Sequence, residues 1–60
     1  MLNEQEMEDV HTEIVIIGPL TIVKAWIGDL YLGERTYSKT GSKKAKKSAL
    51  TYIRINGSLN

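Results

Sequence analysis

Gly28-Asp29 lies between two apolar runs, and this dipeptide constrains the chain more than any other feature. Leu20–Ile27 reads LTIVKAWI and residues 30–37 read LYLGERTY, both rich in β-branched and aromatic residues that suit a pleated strand. Glycine in the first position of a two-residue loop fits a type II′ hairpin turn, whose twist matches the flanking strands. The loop also fixes a register. Ile27 is expected opposite Leu30, Trp26 opposite Tyr31, Ala25 opposite Leu32, Lys24 opposite Gly33, Val23 opposite Glu34 and Ile22 opposite Arg35. Side chains alternate between faces. One face would carry Val23, Ala25, Ile27, Leu30 and Leu32 and is the expected packing face. The other would carry Ile22, Lys24, Trp26, Tyr31, Arg35 and Tyr37, aromatics mixed with cations.

A third strand is expected upstream at residues 12–17, TEIVII, a short β-branched run ended by Gly18-Pro19. Pro19 cannot donate to a ladder and belongs at a turn or an edge. Both faces of this run are apolar, which predicts a central strand or one covered on both sides. Residues 1–11 form an acidic arm, flexible or weakly helical: Leu2, Met7 and Val10 partly suit a helix, but acids near its C-terminus oppose the macrodipole.

After a polar loop at residues 38–41 the period becomes helical. Ala45, Ala49, Tyr52 and Ile53 form one apolar stripe, with Lys43, Lys47 and Arg54 on the far side, Lys44 nearby and Lys46 bordering the stripe. Ser42 or Thr40 is expected to cap the helix start, and Asn56-Gly57 to end it. Residues 51–55 are themselves strand-like, so the last turn could instead be a fourth strand. The expected fold is α+β: an acidic N-terminal arm (residues 1–11), then a single β-β-β-α domain (residues 12–60). In that domain a three-stranded antiparallel sheet carries one C-terminal helix packed on one face.

Sixty residues allow one domain with a marginal core. With no cysteine, stability must come from packing or from a second subunit, so a homodimer is expected. No stretch is long and apolar enough for a membrane span, and the acidic start has the wrong sign for a targeting peptide; no membrane partner and a cytoplasmic location are expected. His11 has no serine or cysteine partner at a diagnostic spacing, and Gly28 and Gly33 do not build a phosphate loop. No catalytic residue, cofactor or metal site is expected, and the chain is not expected to be an enzyme.

The net charge of +1 conceals a complete division. All seven acids lie at or before Glu34 beside a single base, Lys24, and the seven bases that follow have no acid among them. The densest part is Ser42-Lys43-Lys44-Ala45-Lys46-Lys47. Cations in the first turns oppose the helix dipole, by roughly 0.3 kcal/mol or more each, and no acid four residues away compensates them. A bound polyanion would compensate them. Ser42, Lys43, Lys44, Lys46 and Lys47, with Lys39 and Arg35 helping, are therefore candidate phosphate contacts. A solvated face and an acidic protein partner are the competing readings. Trp26 and Tyr31 read as a packing or dimer contact or, flanked by Lys24 and Arg35, as a base-stacking platform.

These residues carry a resemblance. The hairpin Trp26-Ile27-Gly28-Asp29-Leu30-Tyr31-Leu32-Gly33-Glu34, followed by Gly41-Ser42-Lys43-Lys44-Ala45-Lys46 and then Ala49, resembles the C-terminal β-β-β-α part of the double-stranded RNA-binding domain. That family's last helix opens with a serine-lysine-lysine run whose lysines bridge phosphates across a groove. The resemblance implies that role for Ser42, Lys43, Lys44 and Lys46 or Lys47. Three-stranded sheet-plus-helix DNA readers, such as the arm-binding domains of phage-type integrases, share the shape and would use the face with Lys24, Trp26 and Arg35. The expected function is a small nucleic-acid-binding protein, RNA favoured over DNA. The alternative is a protein-interaction module or inhibitor, of the phage or accessory type, that grips an acidic surface or uses its arm as a polyanion mimic.

Overall fold

Both tight turns work by the same device. Gly18 and Gly28 open the two-residue loops Gly18-Pro19 and Gly28-Asp29 at φ +56° and +57°, in the left-handed region that side chains avoid. These turns fold three consecutive strands into a meander: β1 (Val10–Ile17), β2 (Leu20–Ile27) and β3 (Leu30–Ser38). A short helix, α1 (Glu4–Glu8), precedes the sheet, and a long one, α2 (Ser42–Asn56), follows it. The computed structural model describes residues 1–60. The expected α+β architecture is present: a three-stranded antiparallel sheet, order β1-β2-β3, with the C-terminal helix on one face.

Tight turns join only neighbours, so β2 is the central strand and β1 an edge. This corrects the expectation that residues 12–17 would be central or covered on both sides. The strand also begins earlier, at Val10, and its last two residues are open to solvent, Ile16 at 64% and Ile17 at 58% exposure.

The β2–β3 register follows expectation for two pairs, Ile27 with Leu30 and Trp26 with Tyr31, and then slips by one. A β-bulge sets Ala25 opposite Gly33, Lys24 opposite Glu34, Val23 opposite Arg35 and Ile22 opposite Thr36. The extra residue turns both Leu32 and Gly33 to the helix side, where both are buried. Beyond the bulge every β3 side chain is on the face opposite to the one expected. Arg35 and Tyr37 join the helix side, while Glu34 and Thr36 join Lys24 and Ile22 on the open face. The bulge has a visible purpose. Gly33 sits at φ +103°, and a Cβ there would overlap the side chain of Asn60. The C-terminal tail docks at this point, with Leu59 N–H donating to the Leu32 carbonyl at 2.8 Å and the Leu59 side chain only 2% exposed.

Helix α2 lies on β2 and β1 through Ala45, Ala49 and Ile53, all fully buried with Val23, Ala25, Leu32 and Leu59 in one cluster. Residues 51–55 are helical, and Gly57 closes the helix at φ +82°, its N–H donating to the Ile53 carbonyl at 2.7 Å. The start differs from expectation. Gly41 is the N-cap and no side chain caps the helix. The Thr40 hydroxyl donates instead to the Ser38 carbonyl at 3.2 Å, and Ser42 is the first helical residue.

The acidic arm is a helix of five residues closed by a capping box. Asn3 Oδ1 accepts from Glu6 N–H at 2.8 Å, and Glu6 Oε1 accepts from Asn3 N–H at 3.1 Å. Leu2 and Met7 pack against the core, and Leu2 N–H donates to the Arg54 carbonyl at 3.0 Å. The box and the anchor tie the arm down more firmly than its composition suggests.

Leu59→Ala should lower stability by about 2–3 kcal/mol in urea unfolding, because it empties a buried site. Gly33→Ala should lower it by about 1–3 kcal/mol through backbone strain. Deleting Asn60 from the Gly33→Ala variant should not restore stability; full restoration would show that the Asn60 overlap, and not the positive φ, is the source of the loss.

Candidate functional site

Because Ala45, Ala49 and Ile53 fix which side of α2 faces inward, the outward positions follow from 3.6 residues per turn. Lys43, Lys44, Lys46 and Lys47 are all exposed, as is Arg54. Lys43, Lys46, Lys47 and Arg54, with Leu50 and Thr51, line one shallow concavity of about 340 Å³ along the helix, and no carboxylate lines it. Thr51 takes no charge there; its hydroxyl donates back to the Lys47 carbonyl at 3.0 Å. Arg54 belongs to this row although it is not among the phosphate contacts expected from the sequence. The spacing of Lys43, Lys47 and Arg54 along one helical face is the signal that includes it.

The other expected contacts are distributed around this row. Lys44 projects on the opposite flank of the helix. Ser42 and Lys39 are exposed near its N-terminal end, with Lys39 at φ +58° in the connecting loop. With no side-chain cap, the first-turn N–H groups of α2 remain directed at solvent beside Lys43 and Lys44. Arg35 does not belong to the row. The bulge carries it to the helix side, where its guanidinium carbon lies 4.1 Å from the centre of the Tyr52 ring, a cation–π contact. It ties β3 to α2.

The open sheet face carries different chemistry. Paired residues share a face, so the registers define four rows across the three strands. His11, Trp26 and Tyr31 form an aromatic row, with His11 stacked on Trp26 at 5.6 Å and Tyr31 tilted against it at 5.4 Å. Glu13, Lys24 and Glu34 form the next row. Val15, Ile22 and Thr36 follow, then Ile17, Leu20 and Ser38. Lys24 is therefore flanked by two carboxylates, and Arg35 is absent from this face. The Tyr31 hydroxyl donates to Glu34 Oε1 at 2.9 Å. A platform built from Lys24, Trp26 and Tyr31 thus has more negative than positive charge around it, whereas the α2 row has positive charge alone.

A second groove, of about 890 Å³, runs between α1, α2 and the N-terminal end of β1. Leu2, Met7, Val10 and Leu50 give it an apolar lining, with Lys46 and Arg54 on one wall and Glu4 and Glu8 on the other. It shares Lys46, Leu50 and Arg54 with the cationic concavity, so the acidic helix borders the basic row along one side.

Desolvation raises the Tyr31 phenol above its ordinary value, and the hydrogen bond to Glu34 and that carboxylate's charge raise it further. Proton loss would put a phenolate against a carboxylate, so the neutral phenol is favoured. In a titration followed by ring chemical shifts, Glu34→Gln should move the Tyr31 midpoint down toward that of a free phenol; an unchanged midpoint would assign the shift to desolvation alone.

No family model matches the chain, and neither the curated proteins nor the solved structures give a match.

Proposed function

We propose that this chain is a nucleic-acid-binding module, RNA favoured over DNA, that grips phosphates along the outer face of α2. The observation that carries this reading is the carboxylate-free concavity of Lys43, Lys46, Lys47 and Arg54. Four cations lie along one helix with no carboxylate lining their concavity, Glu4 and Glu8 standing across the adjoining groove, and a string of phosphates supplies the missing charge. Lys44, Lys39 and Ser42 extend the contact around the uncapped helix start, where N–H groups add donors for phosphate oxygens. Arg35, engaged with Tyr52, contributes by bracing the helix.

The preference for RNA rests on the resemblance to the double-stranded RNA-binding domain. The β-β-β-α order and a last helix opening Ser42-Lys43-Lys44 both agree with it. Readout of this kind follows shape and backbone spacing more than base identity. The sheet face is the weaker candidate, since Glu13 and Glu34 flank Lys24 there.

With about four to six phosphates engaged, log K for duplex RNA should fall with log salt at a slope of roughly −3 to −5. Lys43→Glu/Lys47→Glu should weaken binding at least roughly tenfold at low salt and flatten that slope by about 2. An affinity for duplex RNA, single-stranded RNA and duplex DNA that survives this change would remove α2 as the site.

Glu4 and Glu8 bear on the same row from the other side of the shared groove. Glu4→Gln/Glu8→Gln spares the Asn3–Glu6 box and should strengthen RNA binding by roughly two- to tenfold at low salt, an effect that fades as salt screens it. An unchanged affinity would mean that bound RNA does not approach α1.

A further inference from the structure

We propose that the outer edge of β1 pairs with β1 of a second copy of this chain, antiparallel, about a two-fold axis through Ile14. The two edges of the sheet are treated differently. The β3 edge is interrupted by the bulge, and the C-terminal tail occupies its Leu32 carbonyl. The β1 edge has no such protection. Its last four residues are Ile14, Val15, Ile16 and Ile17, and its one charged residue is Glu13. Natural edge strands discourage pairing with lysine, proline or a bulge, and β1 contains none of these.

The register selects the partner. Residues flanking a two-residue hairpin loop exchange hydrogen bonds, so Ile17 directs its N–H and C=O toward β2, and the direction alternates along the strand. Thr12, Ile14 and Ile16 therefore direct theirs outward. A two-fold axis through Ile14 sets Ile14 opposite the partner's Ile14 and Thr12 opposite the partner's Ile16. All three outward residues then pair at once, giving about six backbone hydrogen bonds. The same register puts Glu13 opposite the partner's Val15, so that like charges do not meet. Shifting the axis by one residue toward Glu13 would set the two Glu13 side chains face to face.

The groove at α1 supplies the second half of the fit. Both His11 and Thr12 line it, although they point to opposite faces, so it reaches around the outer edge of β1. Thr12 is the residue that meets the partner's Ile16 on the helix side. Ile16, 64% exposed in a single chain, is thereby delivered to the mouth of a groove lined by Leu2, Met7, Val10 and Leu50. The symmetry does this twice. An axis perpendicular to the sheet also keeps both α2 helices on one side of a six-stranded sheet, so that their lysine rows face the same way. The pairing itself does not depend on the nucleic-acid reading.

Sedimentation equilibrium of the intact chain without nucleic acid should approach twice the 6.7 kDa of one chain at high micromolar concentration. Ile16→Lys, at an exposed position, should raise the dissociation constant at least roughly tenfold. Amides of Thr12, Ile14 and Ile16 should gain protection from exchange as the concentration rises. In this cysteine-free chain Ile14→Cys should form a disulfide dimer in a glutathione buffer, and Ile16→Cys, opposite Thr12, should not. A monomer at every concentration overturns the proposal. So does a dimer indifferent to Ile16→Lys, or one whose Thr12, Ile14 and Ile16 amides exchange as in the dilute chain, either of which would place the contact away from this β1 pairing.

Discussion

Ala45 and Ala49 let the backbone of α2 come down onto Val23 and Ala25 of the central strand, and the rest of the molecule is arranged by that close approach. Small side chains on both elements shorten the distance between helix and sheet, and Ile53 and Leu32 fill the space that remains. Once the stripe is seated, the azimuth of every other α2 residue is determined. Lys43, Lys47 and Arg54 must point outward together with Lys46 at the border of the stripe beside the α1 groove, and Tyr52 must turn toward β3, where it meets Arg35. The helix end then presents the Arg54 carbonyl to Leu2 and so positions α1. A larger residue at Ala45 or Ala49 would lift the helix, with overpacking costing about 1–3 kcal/mol, and would tilt the lysine row with it.

What is legible in the sequence divides along the range of the forces involved. The two turns are local, because glycine at a positive φ is a property of one residue, and they specify the meander. The alanine stripe is also local, and the helix, its inward face and the lysine row all follow from its spacing. The bulge is not local. It coincides with the docking of the tail at Leu59 and Asn60 against Leu32 and Gly33, a contact between residues far apart in sequence. Alternation counted forward from Gly28-Asp29 therefore holds for Trp26 and Tyr31, fails at Leu32, and misplaces Arg35 and Tyr37. Gly33 is the available signal, since a glycine inside a strand marks a bulge or a close approach. The capping box of Asn3 and Glu6 has a local signature as well, an asparagine three residues before a glutamate, but it is set among acids that suggest a solvated arm.

The charge division in the sequence becomes a division in space, though not the simple one that two halves of a chain suggest. Three acids lie on α1, two of which, Glu4 and Glu8, line the groove it shares with α2; two more lie on the open sheet face around Lys24, and five of the eight bases gather on α2. The consequence is directional. A polyanion approaching from the sheet side meets Glu13 and Glu34, and one approaching along the groove meets Glu4 and Glu8. The concavity on α2 is lined by positive charge alone, with Glu4 and Glu8 bordering it on the groove side. On the proposed nucleic-acid reading, acids on the flanks would act with the lysines to restrict where and how a phosphate backbone can lie, which is orientation as much as attraction.

The β1 strand carries the sharpest conflict between sequence and single chain. An edge strand with one face on a core needs apolar residues at alternate positions, yet Ile14, Val15, Ile16 and Ile17 are apolar on both faces. On the helix side Ile14 is partly covered and Ile16 is not; on the open face Val15 and Ile17 stand beside Ile22 and Leu20. The core of the single chain, meanwhile, has only Ile53 and Val23 as large, fully buried side chains. Edge pairing bears on the backbone groups and on Ile16, while Val15 and Ile17 remain on the open face. The proposed pairing at the β1 edge would supply the second neighbour, satisfy the outward backbone groups of Thr12, Ile14 and Ile16, and give Ile16 an apolar site. In the single chain β1 is an edge strand; only the proposed pairing with a second copy would make it a central one.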